Sequence, residues 1–122
     1  MKDNVSGCAV EEAMRLLGGR WRVVLLSYLM AGPKRFSEIR RAVPNISQRM
    51  LTLDLRALEE AGLLTRTVYA EVPVKVEYQL TDEGLRLREL VETLRAIGLR
   101  LRGQADGGGA FLAPDAVDDS SL

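Results

Sequence analysis

Histidine is absent from the 122 residues, and cysteine occurs once, at Cys8. The first absence removes the commonest general base and metal ligand. The second excludes an internal disulfide and a cysteine-built metal cluster. No apolar run is long enough to span a bilayer, and no basic-then-apolar leader is present. A soluble, cytoplasmic protein without membrane contact is therefore expected. There is no nucleophile elbow, no phosphate-cradling glycine loop and no paired-ligand spacing. We expect no enzyme, no cofactor and no metal site.

Net charge is missing too, since 17 Lys and Arg offset 17 Asp and Glu. The distribution is uneven. All the bases fall in residues 1–102, against 13 acids, and the last twenty residues hold four Asp and no base. Between Arg20 and Arg66 nine bases stand against four acids. This basic excess surrounds one stretch, SQRMLTLDLRALEEAG, from Ser47 to Gly62.

That stretch opens on an N-cap residue, Ser47, and closes on a C-cap residue, Gly62. At 100° per residue Leu51, Leu55 and Leu58 share one stripe. The opposite face carries Arg49, Thr52, Leu53 and Arg56, with Gln48 at the leading end. Arg can grip a guanine edge, Gln an adenine edge, and Thr a base or a thymine methyl. Alone, the pattern is better read as an amphipathic helix with a solvated face. Its neighbours decide for a groove-reading helix.

Met1 to Gly7 is a polar lead-in. A first helix is expected over Ala9–Leu17, with Val10, Ala13, Met14 and Leu17 on one face, ended by Gly18-Gly19. A second is expected over Arg20–Met30, where Trp21, Val24, Leu25, Tyr28 and Leu29 recur at core spacing. Gly32-Pro33 breaks the chain. Lys34-Arg35 reads as a very short strand. A short helix then spans Phe36–Val43, with Phe36, Ile39 and Val43 inward and Glu38, Arg40 and Arg41 outward. Pro44-Asn45-Ile46 connects it tightly to the Ser47 stretch, giving a helix-turn-helix. Leu64–Tyr69 and Val74–Leu80 read as two strands of a hairpin, in the position of a wing.

A last helix is expected from Thr81 to about Arg102, with Leu87, Leu90, Val91, Leu94, Ile97, Gly98 and Leu101 in one stripe. At about 30 Å it is longer than a small domain covers, so a partner subunit is the expected cover. We expect the first helix to pack against it. Residues 1–102 form one domain in this reading, and 103–122 a disordered acidic tail. The fold class is mainly α with a small β-hairpin: a winged helix-turn-helix with long N- and C-terminal dimerisation helices. The expected dimer interface comprises Val10, Met14, Leu90, Leu94, Ile97 and Leu101.

The residues CAVEEAMRLLGGRW and GPKRFSEIRRAVPNISQRMLTLDLRALEEAGLLTRTVYAEVPVKVEYQLTDEG resemble the HxlR-type family of bacterial transcription regulators. The likeness covers about Cys8 to Gly84. It rests on Cys near the N-terminus, Gly-Gly-basic-Trp, Phe-x-Glu-Ile-Arg, Ile-Ser-Gln-basic-Met-Leu-Thr and a Val-Glu-Tyr wing strand. The resemblance implies a cytoplasmic, DNA-binding homodimer, often a repressor, answering a small molecule, an electrophile or an oxidant. Carried over by position, it puts Ser47, Gln48, Arg49 and Thr52 at the groove, Arg56 one turn on, and Lys75 at the DNA backbone or minor groove. Three positions depart from the family pattern. Ala9 replaces a common Pro, Lys75 a common Arg, and Leu53-Asp54 the usual Gln or basic residues.

The expected function is sequence-specific binding to a double-stranded DNA operator. Arg35, Arg40, Arg41 and Lys75 would contact phosphates and set position, while the Ser47 helix reads bases. The rival is a small-molecule or redox sensor acting mainly through protein–protein contacts, which the basic excess disfavours. Two readings of Cys8 stand. It is an inert packing residue, or, as the family resemblance implies, a reactive thiol at a helix N-terminus, where the thiolate is favoured.

Overall fold

The computed structural model describes residues 7–106. Its element order is α1 (Ala9–Leu17), α2 (Arg22–Leu29), β1 (Lys34–Arg35), α3 (Phe36–Ala42), α4 (Gln48–Glu60), β2 (Leu64–Tyr69), β3 (Lys75–Leu80), α5 (Asp82–Leu85) and α6 (Arg88–Asp106). The three strands form an antiparallel sheet in the order β1-β3-β2. The hairpin register pairs Leu64 with Leu80 and Tyr69 with Lys75, and β1 pairs Lys34 with Tyr78.

The core lies between α2, α3, α4 and the base of the hairpin. Leu25, Leu26, Ile39, Val43, Leu51 and Leu58 are fully buried there, with Leu29, Leu55 and Leu64 nearly so. Alternation in β3 turns Tyr78 and Leu80 inward and Gln79 outward. Tyr78 meets Phe36 with ring centroids 6.4 Å apart. Trp21 is buried, as its helical phase predicts, yet it precedes α2 instead of lying within it. Gly19, at φ +89, turns the chain there, and the regular helix begins at Arg22.

The C-terminal segment differs from the expected single helix. Thr81 caps a one-turn helix, its Oγ1 accepting from the Gly84 N–H at 3.1 Å. The chain then tightens: the Arg86 N–H is shared between Asp82 O at 3.1 Å and Glu83 O at 3.3 Å, and Leu87 N–H reaches Gly84 O at 3.1 Å, three residues back. Bonds of that span belong to a tighter turn than the α-helix, so the helix restarts at Arg88. A tertiary contact lies at the same turn. Gly84 is buried so close to the Leu63 carbonyl that a Cβ there would run into it. Helix α6 continues four residues beyond the expected end, to Asp106, so residues 103–106 belong to it and not to the tail. The rest of the expected tail lies outside the described residues.

Helix α6 touches α2 and buries Val91. Leu87 packs half-buried against the core. Leu90, Leu94 and Ile97 stay exposed, as do Val10 and Met14 of α1, whereas Leu101 is half-buried. The expected packing of the first helix on the last does not form an extensive contact within one chain. Instead α1 anchors to the core through Leu17, with Leu16 beside it.

Candidate nucleic-acid interface

Helix α4 starts where Ser47 Oγ accepts a hydrogen bond from the Met50 N–H at 3.1 Å. Accepting that bond leaves the hydroxyl proton available to donate elsewhere. Gly62, at φ +81, takes the left-handed conformation that ends the helix. The buried stripe of Leu51, Leu55 and Leu58 includes one charge, Asp54, only 5 % exposed. Its Oδ1 accepts from Arg22 Nε at 3.0 Å, and Arg22 Nη1 donates to the Leu16 carbonyl at 2.8 Å. The departure from the family pattern at Asp54 therefore does not put an anion on the outer face. It ties α4 to α2 and to the end of α1.

The outer face of α4 carries Gln48, Arg49, Thr52, Leu53 and Arg56, all exposed. Helix α3 lies just before it. The Arg35 N–H donates to Glu38 Oε1 at 2.7 Å, so α3 begins on a local carboxylate bond and Arg35 keeps its side chain exposed. The link between α3 and α4 is held by the Ile46 N–H on the Val43 carbonyl at 3.3 Å, with Ile46 itself buried.

Between α4 and the wing lies an open cleft of about 580 Å³. Four of the expected contact residues line it together: Arg35, Thr52, Arg56 and Lys75. Arg66 lines it as well, a basic residue that sequence reasoning missed. Its signal was slight, one base among Thr residues in the first wing strand. The register sets Arg66 opposite Tyr78, and its Nε lies 3.6 Å from Glu59 Oε1. With Glu59 and Glu71 the lining holds four cations against two carboxylates, a positive concavity suited to a polyanion.

Arg40 and Arg41 lie elsewhere, exposed beside a shallow hollow lined also by Ser37, Pro44 and Ile46. On the wing, Lys75 holds its Nζ 4.7 Å over the Tyr69 ring. The Tyr69 hydroxyl donates to Glu77 Oε1 at 3.3 Å. The Glu77 charge raises the Tyr69 pKa above its ordinary value, and burial raises that of Tyr78. Both phenols therefore stay neutral.

Cys8 occupies the N-cap of α1, half-buried, where Sγ accepts from the Glu11 N–H at 3.4 Å. Glu11 turns back to take the Gly7 N–H at 2.7 Å and pairs with Arg15 at 3.4 Å. The Glu11 carboxylate is thus engaged by Gly7 and Arg15. Among the described residues no helix is long and apolar enough to cross a membrane.

A helix-turn-helix followed by a hairpin wing, with a basic cleft between them, defines a winged helix-turn-helix DNA-binding transcriptional regulator. Residues 16–105 match the model of the HxlR-like helix-turn-helix family, and the chain belongs to that family. It is 43 % identical over 104 residues to the uncharacterized HTH-type transcriptional regulator YdeP of Bacillus subtilis (strain 168), covering 85 % of this chain and 81 % of that one. Among solved structures it is similar to the redox regulator HypR in its oxidized form, at 45 % identity and TM-score 0.73, covering 76 % of this chain and 96 % of that one. It also resembles the diamide-treated YodB of B. subtilis, at 40 % identity and TM-score 0.63, covering 88 % and 97 %. Cys8 precedes the stretch matched by the family model.

Proposed function

We propose that this protein is a cytoplasmic homodimeric repressor that reads a two-fold symmetric operator and releases it when a thiol-directed oxidant or electrophile reaches Cys8. The observation that carries the DNA reading is the outer face of α4, where Gln48, Arg49, Thr52 and Arg56 stand exposed beside a wing bearing Lys75. Gln48 and Arg49 lead the helix and contact base edges, and Ser47 donates at the groove edge. Arg35, Arg56 and Lys75 hold the phosphate backbone along the cleft, and Arg40 and Arg41 hold it from the α3 side. The sign of regulation rests on the family resemblance alone.

Two copies associate through the exposed apolar residues of α1 and α6: Val10, Met14, Leu90, Leu94 and Ile97, with Leu101 at the end of the stripe. The recognition helices of the dimer then enter successive major grooves about 34 Å apart. The thiol assignment draws support from the Cys8 N-cap bond and from similarity to HypR, described in an oxidized form, and to YodB, described after diamide treatment. An adduct or disulfide at Cys8 would break the cap of α1, disturbing a helix on the proposed dimer face.

Selection of bound sequences from random duplex DNA, before and after diamide, tests this reading. We expect paired half-sites one helical turn apart and binding that weakens steeply with salt. Arg49→Ala should lose about 1–3 kcal/mol on the selected operator and much less on random DNA. Cys8→Ser should bind like the wild type and ignore diamide. Equal loss of Arg49→Ala on both DNAs would overturn base reading, and an equal diamide response in Cys8→Ser would overturn the thiol assignment.

A further inference from the structure

Leu53 is 47 % exposed in the middle of α4, flanked along the helix by Arg49 and Arg56 and bordered on its other side by the exposed Met50. Its helical phase puts it almost opposite the buried stripe of Leu51, Leu55 and Leu58. Arg49 lies one turn before it and Arg56 one turn after, both exposed. Nothing in the core needs an apolar group there. We infer that Leu53 is a specificity-determining residue that reads the 5-methyl group of a thymine in the operator major groove.

The inference rests on the reading of α4 as the base-contacting helix. Two features favour a thymine methyl over an apolar protein surface as the occupant. An apolar surface docked on Leu53 would have to desolvate the two flanking guanidiniums without supplying acceptors, which is costly. The major groove meets all three groups at once. Guanine edges and phosphate oxygens accept from Arg49 and Arg56, and the thymine methyl is the one apolar group among the base edges. Arg49, Leu53 and Arg56 recur at i, i+4 and i+7, so these three groups share one side of the helix. A leucine there cannot donate to a purine, so the base it prefers is one that offers a methyl.

The test uses the full-length protein and its selected operator. Each thymine is replaced in turn by deoxyuridine, which keeps every hydrogen-bonding group and lacks only the methyl. One position per half-site should weaken wild-type binding about fourfold, the share of one buried methyl-sized group. Leu53→Ala should bind the thymine and deoxyuridine forms of that position equally, while remaining sensitive to substitution of the guanines. An operator indifferent to deoxyuridine throughout would overturn the assignment of Leu53 and leave the DNA reading standing. So would a Leu53→Ala protein that keeps the wild-type discrimination. A protein that selects no sequence at all would overturn both.

Discussion

The two halves of this molecule use the same residues to different ends. In the winged core, leucines at helical spacing close on one another, and Leu25, Leu26, Leu51 and Leu58 are fully buried. In α1 and α6 the same spacing leaves Val10, Met14, Leu90, Leu94 and Ile97 exposed. An apolar stripe therefore states only that a helix needs a covering surface. Whether the cover comes from its own chain depends on how many helices converge on it. Helix α4 is enclosed by α2 and the hairpin, whereas among the described residues the extensive contact of α6 is with α2 along one side.

The sharpest way to break this contrast is through the core. Leu55, 1 % exposed, packs on the inner face of α4. Leu55→Ala should cost about 2–5 kcal/mol, the range for a buried leucine whose cavity only partly relaxes. A shift in the denaturant midpoint at constant slope would measure it. A loss below about 1 kcal/mol would mean that the core is looser than its burial implies.

The second test concerns the one charge inside that face. Asp54→Ala leaves the Arg22 guanidinium without its carboxylate, while the Leu16 carbonyl remains. The Arg22 side chain is one quarter exposed, so water recovers part of the loss. We expect about 1–3 kcal/mol of destabilisation, below the cost of orphaning a fully enclosed charge. Combining Arg22→Met with Asp54→Leu should cost less than Asp54→Ala alone, because an apolar pair carries no desolvation penalty. A double variant worse than the single one would assign the pair a net stabilising role. Thermal unfolding of the three proteins decides between these outcomes.

Much of this core was legible in the sequence because periodicity reports burial directly. The spacing of Leu51, Leu55 and Leu58, the alternation through Val76, Tyr78 and Leu80, and the caps at Ser47 and Thr81 all correspond to observed elements. Contacts between distant segments were not legible. Asp54 has a buried phase on α4, but its partner stands 32 residues earlier and no local rule selects Arg22 among 17 bases. The restart at Arg88 was hidden for the same reason. The sequence after Thr81 keeps one apolar phase, and the close approach of Gly84 to the Leu63 carbonyl at that turn is tertiary. Four of the expected phosphate-side and groove-side residues share the wing cleft, because a winged fold brings β1, α4 and β3 to one edge. Arg66 joins them only through strand register.

The smallest effect on the fold should come from the outer stripe. Ile97 is 38 % exposed, and Asp there removes no enclosed contact within the chain. Ile97→Asp should therefore change the unfolding free energy of the separated subunit by no more than about 0.5 kcal/mol, as surface substitutions generally do. Its effect should appear in assembly, since a carboxylate in an apolar interface loses its hydration without gaining a partner. Sedimentation at micromolar concentration should find wild-type dimers and Ile97→Asp monomers, and the monomers should lose operator binding, because one half-site offers half the contacts. Leu99 supplies the control. It is more exposed, at 48 %, but its phase puts it on the far side of α6 from Leu90, Leu94 and Ile97. Leu99→Asp should remain dimeric and bind the operator as the wild type does. If both variants dissociate, α6 is covered all round and the interface is wider than one stripe. If neither does, the exposed residues of α6 are not the dimer face, and the likeness in spacing between the two halves of the molecule carries no information about assembly.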